Sequence, residues 1–247
     1  MSGVNEEHLN EPGAADEPGE IRDQAGKRPA RAPARRKPGR PPAHATADVR
    51  SRLIAAARER VIAVGFDRAS TKDIAAQAGV NPAMIHYYFG GKAGLGQAMM
   101  RAAAAPLLER LEQLAAAGPQ RVRIADFMRA YMQTIAEHPA LPQLIVREVL
   151  PVNGRFRNVF FAELAAKAGM LLPAALRRAR AEGQLRPGTD EILAAISLIS
   201  LAVFPFVAAP VIQAVLHVDL ADPAFRERLI AHSIGVFEQG LQRRAAT

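Results

Sequence analysis

The sequence predicts an all-α protein, with a three-helix N-terminal helix-turn-helix domain over residues 46–92 and a larger helical domain after it. Apolar residues recur at helical spacing, and no stretch alternates as a half-buried strand does. Glycine and proline pairs divide the chain into helix-sized pieces. The stretch STKDIAAQAGVNPAMIHYYFGGK, Ser70–Lys92, places a small residue, a turn glycine and an apolar anchor at helix-turn-helix spacing: Ala75, Gly79 and Ile85.

Residues 1–45 are predicted to be a disordered tail, because they are rich in proline, glycine, alanine and charge and contain almost no large apolar residue. Residues 1–26 hold seven acids and one arginine, whereas residues 27–40 hold seven basic residues and no acid. The basic half ends in RRKPGRPP, which resembles the core of an AT-hook. Arg40 would then enter a narrow minor groove. The alternative is a solvated polybasic linker that only attracts phosphates.

The first two helices are delimited by cap residues. The first is expected to begin at Thr46 or Asp48 and to run to Val64. The second is expected to begin at a Ser70 or Thr71 cap, which would accept a hydrogen bond from a free backbone N–H of the first turn.

The third helix is predicted to begin at Asn81 and Pro82, a cap followed by a first-turn proline. Between its expected buried positions, Ile85 and Phe89, it exposes ring faces, hydroxyls and an imidazole but no charged group. Such groups donate to phosphates and contact base edges in a major groove. The alternative is a helical hairpin whose tyrosines pack against a neighbouring domain.

Residues 48–99 resemble the N-terminal DNA-binding domain of the tetracycline-repressor (TetR) family of bacterial transcription regulators. The resemblance is carried by a first helix ending in Gly65-Phe66, then STKDIAAQAGV, then IHYYFGGK before a long fourth helix. It implies backbone contacts from Thr71 and Lys72. It implies base-facing and groove-facing positions for Asn81, Pro82, Ala83, Met84 and Tyr87, and phosphate contacts from His86, Tyr88 and Lys92. His86 departs from the family pattern, which often has a tyrosine there.

The overall charge favours a polyanionic partner. The formal net charge is +8 and the sequence pI is about 10.5, which points first to nucleic acid. The absence of cysteine excludes disulfides and thiolate metal sites and suits a cytoplasmic protein. No glycine-rich phosphate loop, nucleophile elbow or metal-spaced histidine pair is present, so we expect no catalytic residue, metal or cofactor and no enzyme.

Residues 93–247 are predicted to form the second domain. The fourth helix is expected to run from Gly91 to about Leu114 and to link the two domains. Further helices are expected near 120–137, 140–150, 157–182, 189–217 and 222–243.

The run from Ile192 to Ile212 carries no charge in 21 positions and has the length of a membrane span. Its two prolines, two serines and five alanines favour instead a helix buried by its own domain and by a second subunit. The TetR resemblance implies a homodimer through the last two long helices. On the last helix the expected contact face comprises Leu229, Ser233, Val236, Phe237 and Gly240.

The resemblance also implies a pocket for a small-molecule effector between the middle helices, with candidate lining residues Phe127, Tyr131, Arg147, Phe160, Phe161 and Phe204. Each aromatic residue is equally compatible with plain core, and Arg147 with an inter-helix contact. The resulting hypothesis is a ligand-released repressor that binds a palindromic double-stranded operator as a homodimer. The alternatives are an architectural DNA-binding protein without an effector and a membrane-anchored regulator.

Overall fold

A computed structural model of the chain describes residues 43–116 and 118–241, which form eleven α-helices and no strand. The expected all-α architecture is therefore confirmed. Most of the predicted tail, including Arg40, lies outside the described residues.

Four helices form the N-terminal part of the described chain: α1 (Ala43–Val64), α2 (Thr71–Gln77), α3 (Ala83–Phe89) and α4 (Lys92–Ala115). Helix α1 begins at Ala43, before either expected cap. The cap predicted at Ser70 is present, since its Oγ accepts from the backbone N–H of Asp73 at 3.0 Å.

The C-terminal part contains α5 (Ile124–Glu137), α6 (Ala140–Leu144), α7 (Arg157–Phe160), α8 (Ala166–Ala181), α9 (Glu191–Val207), α10 (Ala209–Leu216) and α11 (Pro223–Leu241). A 3₁₀ turn over Pro119–Arg121 precedes α5. Helix α6 continues as a π-helical turn over Ile145–Val149, and a second π turn, Phe161–Ala165, joins α7 to α8. The helix expected at 157–182 therefore contains a π turn instead of being regular.

The single helix expected at 189–217 is two helices, because the chain bends by 72° between α9 and α10. Pro210 lies in the first turn of α10, where its missing N–H and fixed φ suit a new helix start better than a helix interior. Within the described ranges, no single helix is both long and apolar enough to cross a membrane, and α9 and α10 meet that criterion only as a bent pair.

One contiguous apolar core runs through the described chain. It includes Leu53, Ile74 and Ile85 of the first three helices, buried residues of α4, and residues of α5 to α11 as far as Phe237. Helix α4 contributes eight buried residues, and it packs against α1 and α3 as well as α5. Helix α4 is therefore in direct contact with both the helix-turn-helix and the C-terminal helices.

Candidate DNA-binding surface and apolar cavity

Helices α2 and α3 meet at a tight turn that the sequence specifies locally. Gly79 has φ +65°, a left-handed conformation that costs glycine little. Below the turn, Ala75 and Ile85 are fully buried and fix the two helices against each other. Asn81 Oδ1 accepts from the N–H of Ala83 at 2.8 Å and so caps α3, as predicted.

The outer face of α3 is exposed and uncharged. Tyr87 is 66% exposed, and its ring meets that of Tyr88 edge-on with centroids 4.9 Å apart. The predicted contact residues Asn81, Pro82, Ala83 and His86 are also exposed, whereas Met84 and Tyr88 are half-buried. Among the described residues, no side chain makes a hydrogen bond to His86, Tyr87 or Tyr88, so this face has polar groups free for an external partner.

The cationic residues predicted near α3 differ in whether they contact other residues of the chain. Lys72 is exposed and forms no ion pair with any described residue, and Thr71 beside it is half-buried. Lys92 Nζ instead donates to the carbonyl oxygen of Asp67 at 3.1 Å and lies 4.7 Å from the centroid of the Phe66 ring. Lys92 thus holds the loop before α2 in place.

Arg50 was not among the predicted contact residues, yet the structure places it beside α3. It is exposed, and its guanidinium lies 5.4 Å from the centroid of the Phe89 ring, near the C-terminal end of α3. In the sequence Arg50 is one of four arginines of α1 that are expected to be solvated, with a phosphate contact as the alternative for Arg50, and its position beside α3 is compatible with that alternative.

The residues Arg147 and Glu148, on the π turn after α6, contact the end of α1. The backbone N–H of Phe66 donates to Glu148 Oε1 at 2.8 Å in a buried setting, and Arg147 Nη1 donates to the carbonyl oxygen of Ile62 at 3.0 Å. Glu148 is only 7% exposed. We call this set of contacts the junction, because it joins the C-terminal helices to the helix-turn-helix.

The junction is closed by two aromatic rings. Phe66 and Phe156 pack edge-on with centroids 4.9 Å apart, and both rings lie against Gly96 of α4. A Cβ at Gly96 would come within 2.5 Å of each ring, so glycine at this position permits the close approach of both rings to α4.

A half-open apolar cavity of about 340 Å³ lies between α5, α8 and α9, and Ile199 at its rim is 50% exposed. Three of the predicted pocket residues line it, namely Phe127, Tyr131 and Phe160. Phe161 and Phe204 do not line it and are 53% and 61% exposed. The lining residues not foreseen from the sequence are Gly169, Leu172, Pro173, Ala195, Leu198, Ile199, Ala202 and Val203. The cavity exists because small residues of α8 and α9 face it. The sequence shows these small residues, but it does not show that the two helices pack together.

Arg147 lies away from this cavity, along a second groove of about 520 Å³ between α1, α5, α6, α9 and α10. Its guanidinium is already tied to the α1 carbonyl of Ile62. The inter-helix contact that the sequence left open as an alternative is thus present at Arg147.

Helix α9 presents an apolar face that no described residue covers. Ile192, Ile196, Ile199 and Phe204 are each at least half exposed, and Val211 and Val215 continue the face on α10. On α11, by contrast, Ser233 and Phe237 of the expected contact face are buried in the chain's own core, while Val236 is 44% exposed. A contiguous exposed apolar face of this kind marks an interaction surface.

Comparison with known proteins concerns both parts of the described chain. A family model for the bacterial regulatory proteins of the tetR family matches residues 53–99, and a model for the C-terminal domain of tetracyclin-repressor-like proteins matches residues 119–236. No curated protein matches the sequence.

Solved structures share the fold at low sequence identity. The fatty acid degradation regulator FadR from Bacillus halodurans is 17% identical with a TM-score of 0.62, covering 79% of this chain and 97% of its own. The ketosteroid transcriptional regulator KstR2 of Mycobacterium tuberculosis is 15% identical with a TM-score of 0.63, covering 79% of this chain and 95% of its own. At these identities the likeness concerns the fold alone.

Proposed function

We propose that this chain, which belongs to the TetR family of bacterial regulatory proteins, is a repressor that binds a palindromic operator as a homodimer and releases it when a small molecule enters the cavity. It is a DNA-binding transcriptional regulator. The observation that carries the proposal is the outer face of α3, whose polar groups have no partner among the described residues. Functionally, residues 46–92 would read DNA, and residues 93–247 would bind the effector and dimerise.

In the proposed complex, neutral groups contact the bases and cationic groups contact the phosphates. Tyr87 and the first turn of α3 contact base edges and thymine methyls, which need no charge. Lys72 and Arg50 supply phosphate contacts, because both are exposed cations near the helix-turn-helix. Lys92, held by Asp67, contributes to phosphate attraction from a fixed position.

A homodimer is supported by the exposed apolar face of α9 and α10. Fully burying a large aliphatic side chain contributes about 1.5–3 kcal/mol, so mutual burial of this face in two copies is strongly favourable. A two-fold dimer presents two α3 helices to successive major grooves, which explains why the operator is expected to be palindromic.

Release of the operator by a ligand is supported by the position of α4, which lies between α5, a helix that lines the cavity, and α3. Helix α5 carries Phe127 and Tyr131 in the cavity lining and packs directly on α4, which in turn packs on α3. A ligand that fits the cavity better in one α4 orientation shifts the population toward that state and changes the separation of the two α3 helices.

The test is to select fragments of bacterial genomic DNA with the purified protein and to footprint the fragments recovered. We expect a protected palindrome with half-sites about one helical turn apart. Protection of a single half-site would contradict the dimer, and equal protection of all sequences would contradict specific reading. The variant Ile196→Glu should sediment as a monomer and lose protection, whereas Val152→Glu, at an 88% exposed position outside α9, should keep both properties.

The basic tail is proposed to add phosphate attraction, with Arg40 as the candidate minor-groove residue. Deleting residues 1–40 leaves α1 intact, since α1 begins at Ala43. We expect weaker operator binding and a shallower slope of log affinity against log salt, by about 0.9 for each phosphate that the tail neutralises. An unchanged slope, measured by fluorescence anisotropy over a salt series, would remove the tail from the interface.

A further inference from the structure

Among the residues whose side chains the structure describes, those lining the cavity are apolar, and Tyr131 is the ionisable one. Phe127 and Tyr131 come from α5, Phe160 from α7, and the remaining walls from α8 and α9. A ligand charge placed against this lining would lose part of its hydration without gaining a counter-charge from a described side chain, and such a transfer is unfavourable. The described lining therefore disfavours an ionic ligand.

The Tyr131 hydroxyl can form a hydrogen bond with a ligand in the cavity. The Tyr131 ring stacks on that of Phe127, with centroids 5.9 Å apart and planes inclined by 23°. Its hydroxyl makes no hydrogen bond to any other described residue. Burial raises the pKa of Tyr131 from its ordinary 10.0 to about 12, and at neutral pH the hydroxyl carries its proton with either value and can act as a donor. Tyr131 is half-buried, so a ligand in the cavity that carries a matching polar group can form a hydrogen bond with this hydroxyl, a bond worth about 0.5–1.5 kcal/mol.

The volume of the cavity limits the size of the ligand. An apolar protein cavity of about 150 Å³ holds one benzene molecule. A cavity of about 340 Å³ is roughly twice as large. It therefore accommodates a ligand of about two rings, or an aliphatic skeleton of equal volume.

We propose that the effector of this regulator is an uncharged, mostly apolar molecule of about two-ring size that carries one hydrogen-bonding group, and that this group pairs with the Tyr131 hydroxyl. This inference rests on the proposed function, because it identifies the class of molecule that would release the operator. The second groove, where Arg147 offers a positive charge, is the place where an anionic molecule would bind instead.

The experiment uses three probes with one ring system: 2-naphthol, naphthalene and 2-naphthoate. Binding to the full-length protein without DNA is followed by probe fluorescence, which is well separated from the protein because the chain has no tryptophan. We expect 2-naphthol to bind wild type and to bind Tyr131→Phe about tenfold more weakly, the cost of one hydrogen bond. Naphthalene should bind both proteins within about twofold, because it makes no hydrogen bond.

2-Naphthoate separates the cavity from the Arg147 groove. We expect its affinity to be at least about 100-fold below that of 2-naphthol, because the carboxylate must be desolvated. Naphthoate binding as tight as naphthol binding would overturn the proposal in favour of the groove. Equal binding of 2-naphthol to wild type and Tyr131→Phe would also overturn it, as would no binding of either neutral probe.

A cavity-filling variant provides the control for location. A Cβ at Gly169, on the cavity wall, meets no other atom within 4 Å, so Gly169→Leu adds a side chain at the cavity without an immediate clash. Gly240 on α11 is equally open and lies outside the cavity lining, which makes Gly240→Leu the matched control. Leucine is also the better helix former, so neither change should unfold its helix. We expect Gly169→Leu to lose both neutral probes and Gly240→Leu to bind them as wild type does; binding by both variants would place the probes elsewhere and overturn the assignment.

The same probes distinguish failure of this inference from failure of the proposed function. The binding measurements above contain no DNA, so they decide the ligand class by themselves. If 2-naphthol occupies the cavity but leaves operator affinity unchanged, the ligand class stands and release by this class of ligand is contradicted.

Discussion

Two regions of the helix-turn-helix carry polar groups: the outer face of α3, and the junction between α1 and the π turn after α6. They differ in whether those groups have a hydrogen-bond partner within the chain. At the junction Glu148 is buried and Arg147 is exposed, and each is hydrogen-bonded to a backbone group near the end of α1. On α3, Tyr87 and His86 point outward and have no such partner among the described residues. A polar group with an internal partner stabilises the fold, and one without is available to a ligand.

The comparison explains why charged residues inside an apolar sequence are a poor guide to a ligand site. Arg147 and Glu148 interrupt the run LIVREVLP, and that interruption made Arg147 a candidate for effector binding. Their partners lie 85 and 82 residues earlier in the chain, on α1 and just after it. Among the described side chains that line the cavity, the polar one is the phenol of Tyr131, which the sequence does not distinguish from a core aromatic residue.

The largest expected effect is on the junction. Glu148→Ala removes the acceptor of the buried Phe66 N–H, and we expect the free energy of unfolding to fall by about 3 kcal/mol. Urea unfolding at pH 7 measures the loss. Glu163→Ala is the control, because its ion pair with Arg101 is solvent-exposed on both sides and is worth at most about 0.5 kcal/mol. Equal losses in the two variants would show that the junction does not stabilise the fold.

The next effect concerns the cavity at high pH. Burial raises the pKa of Tyr131 to about 12 from its ordinary 10.0, so the folded chain holds this proton longer than the unfolded chain does. The stability that this residue contributes is complete below about pH 10 and is lost as the pH rises through about 12. We expect wild type to lose about 2 kcal/mol more than Tyr131→Phe between these pH values, as measured by denaturant unfolding. Parallel pH profiles for the two proteins would mean that the hydroxyl is not buried.

A smaller effect is expected at Lys92, which has a bonding partner within the chain and is also a proposed source of phosphate attraction. Its ammonium group donates to the Asp67 carbonyl and lies over the Phe66 ring, so Lys92→Ala should cost about 1 kcal/mol of stability. Because it also removes a cation beside α3, operator affinity should fall as well. Lys72→Ala, at an exposed position, should lower operator affinity with no measurable loss of stability. Equal stability of the two variants would contradict the structural role of Lys92.

The features that the sequence predicted well are those decided within a few residues. The Ser70 cap and the Asn81 cap bond to atoms two or three residues away, and the Gly79 turn needs only its own backbone freedom. These local signals locate α2 and α3.

The features that were missed depend on packing between distant segments. Consecutive helical residues point about 100° apart, so Phe160 lines the cavity while Phe161 is exposed, and only the packing of the helices decides which of the two faces the cavity. On α11, apolar periodicity alone does not distinguish a face that meets its own core, as at Ser233 and Phe237, from one left for a partner, as at Val236.

The most direct test of the account is the operator affinity of Tyr87→Ala measured against that of Val152→Ala. Both side chains are highly exposed, at 66% and 88%, so neither change should lower the free energy of unfolding by more than about 0.5 kcal/mol. Fluorescence anisotropy with a selected operator fragment should show a loss of at least about tenfold for Tyr87→Ala and none for Val152→Ala. An unchanged affinity for Tyr87→Ala would contradict the assignment of α3 as the DNA-reading helix.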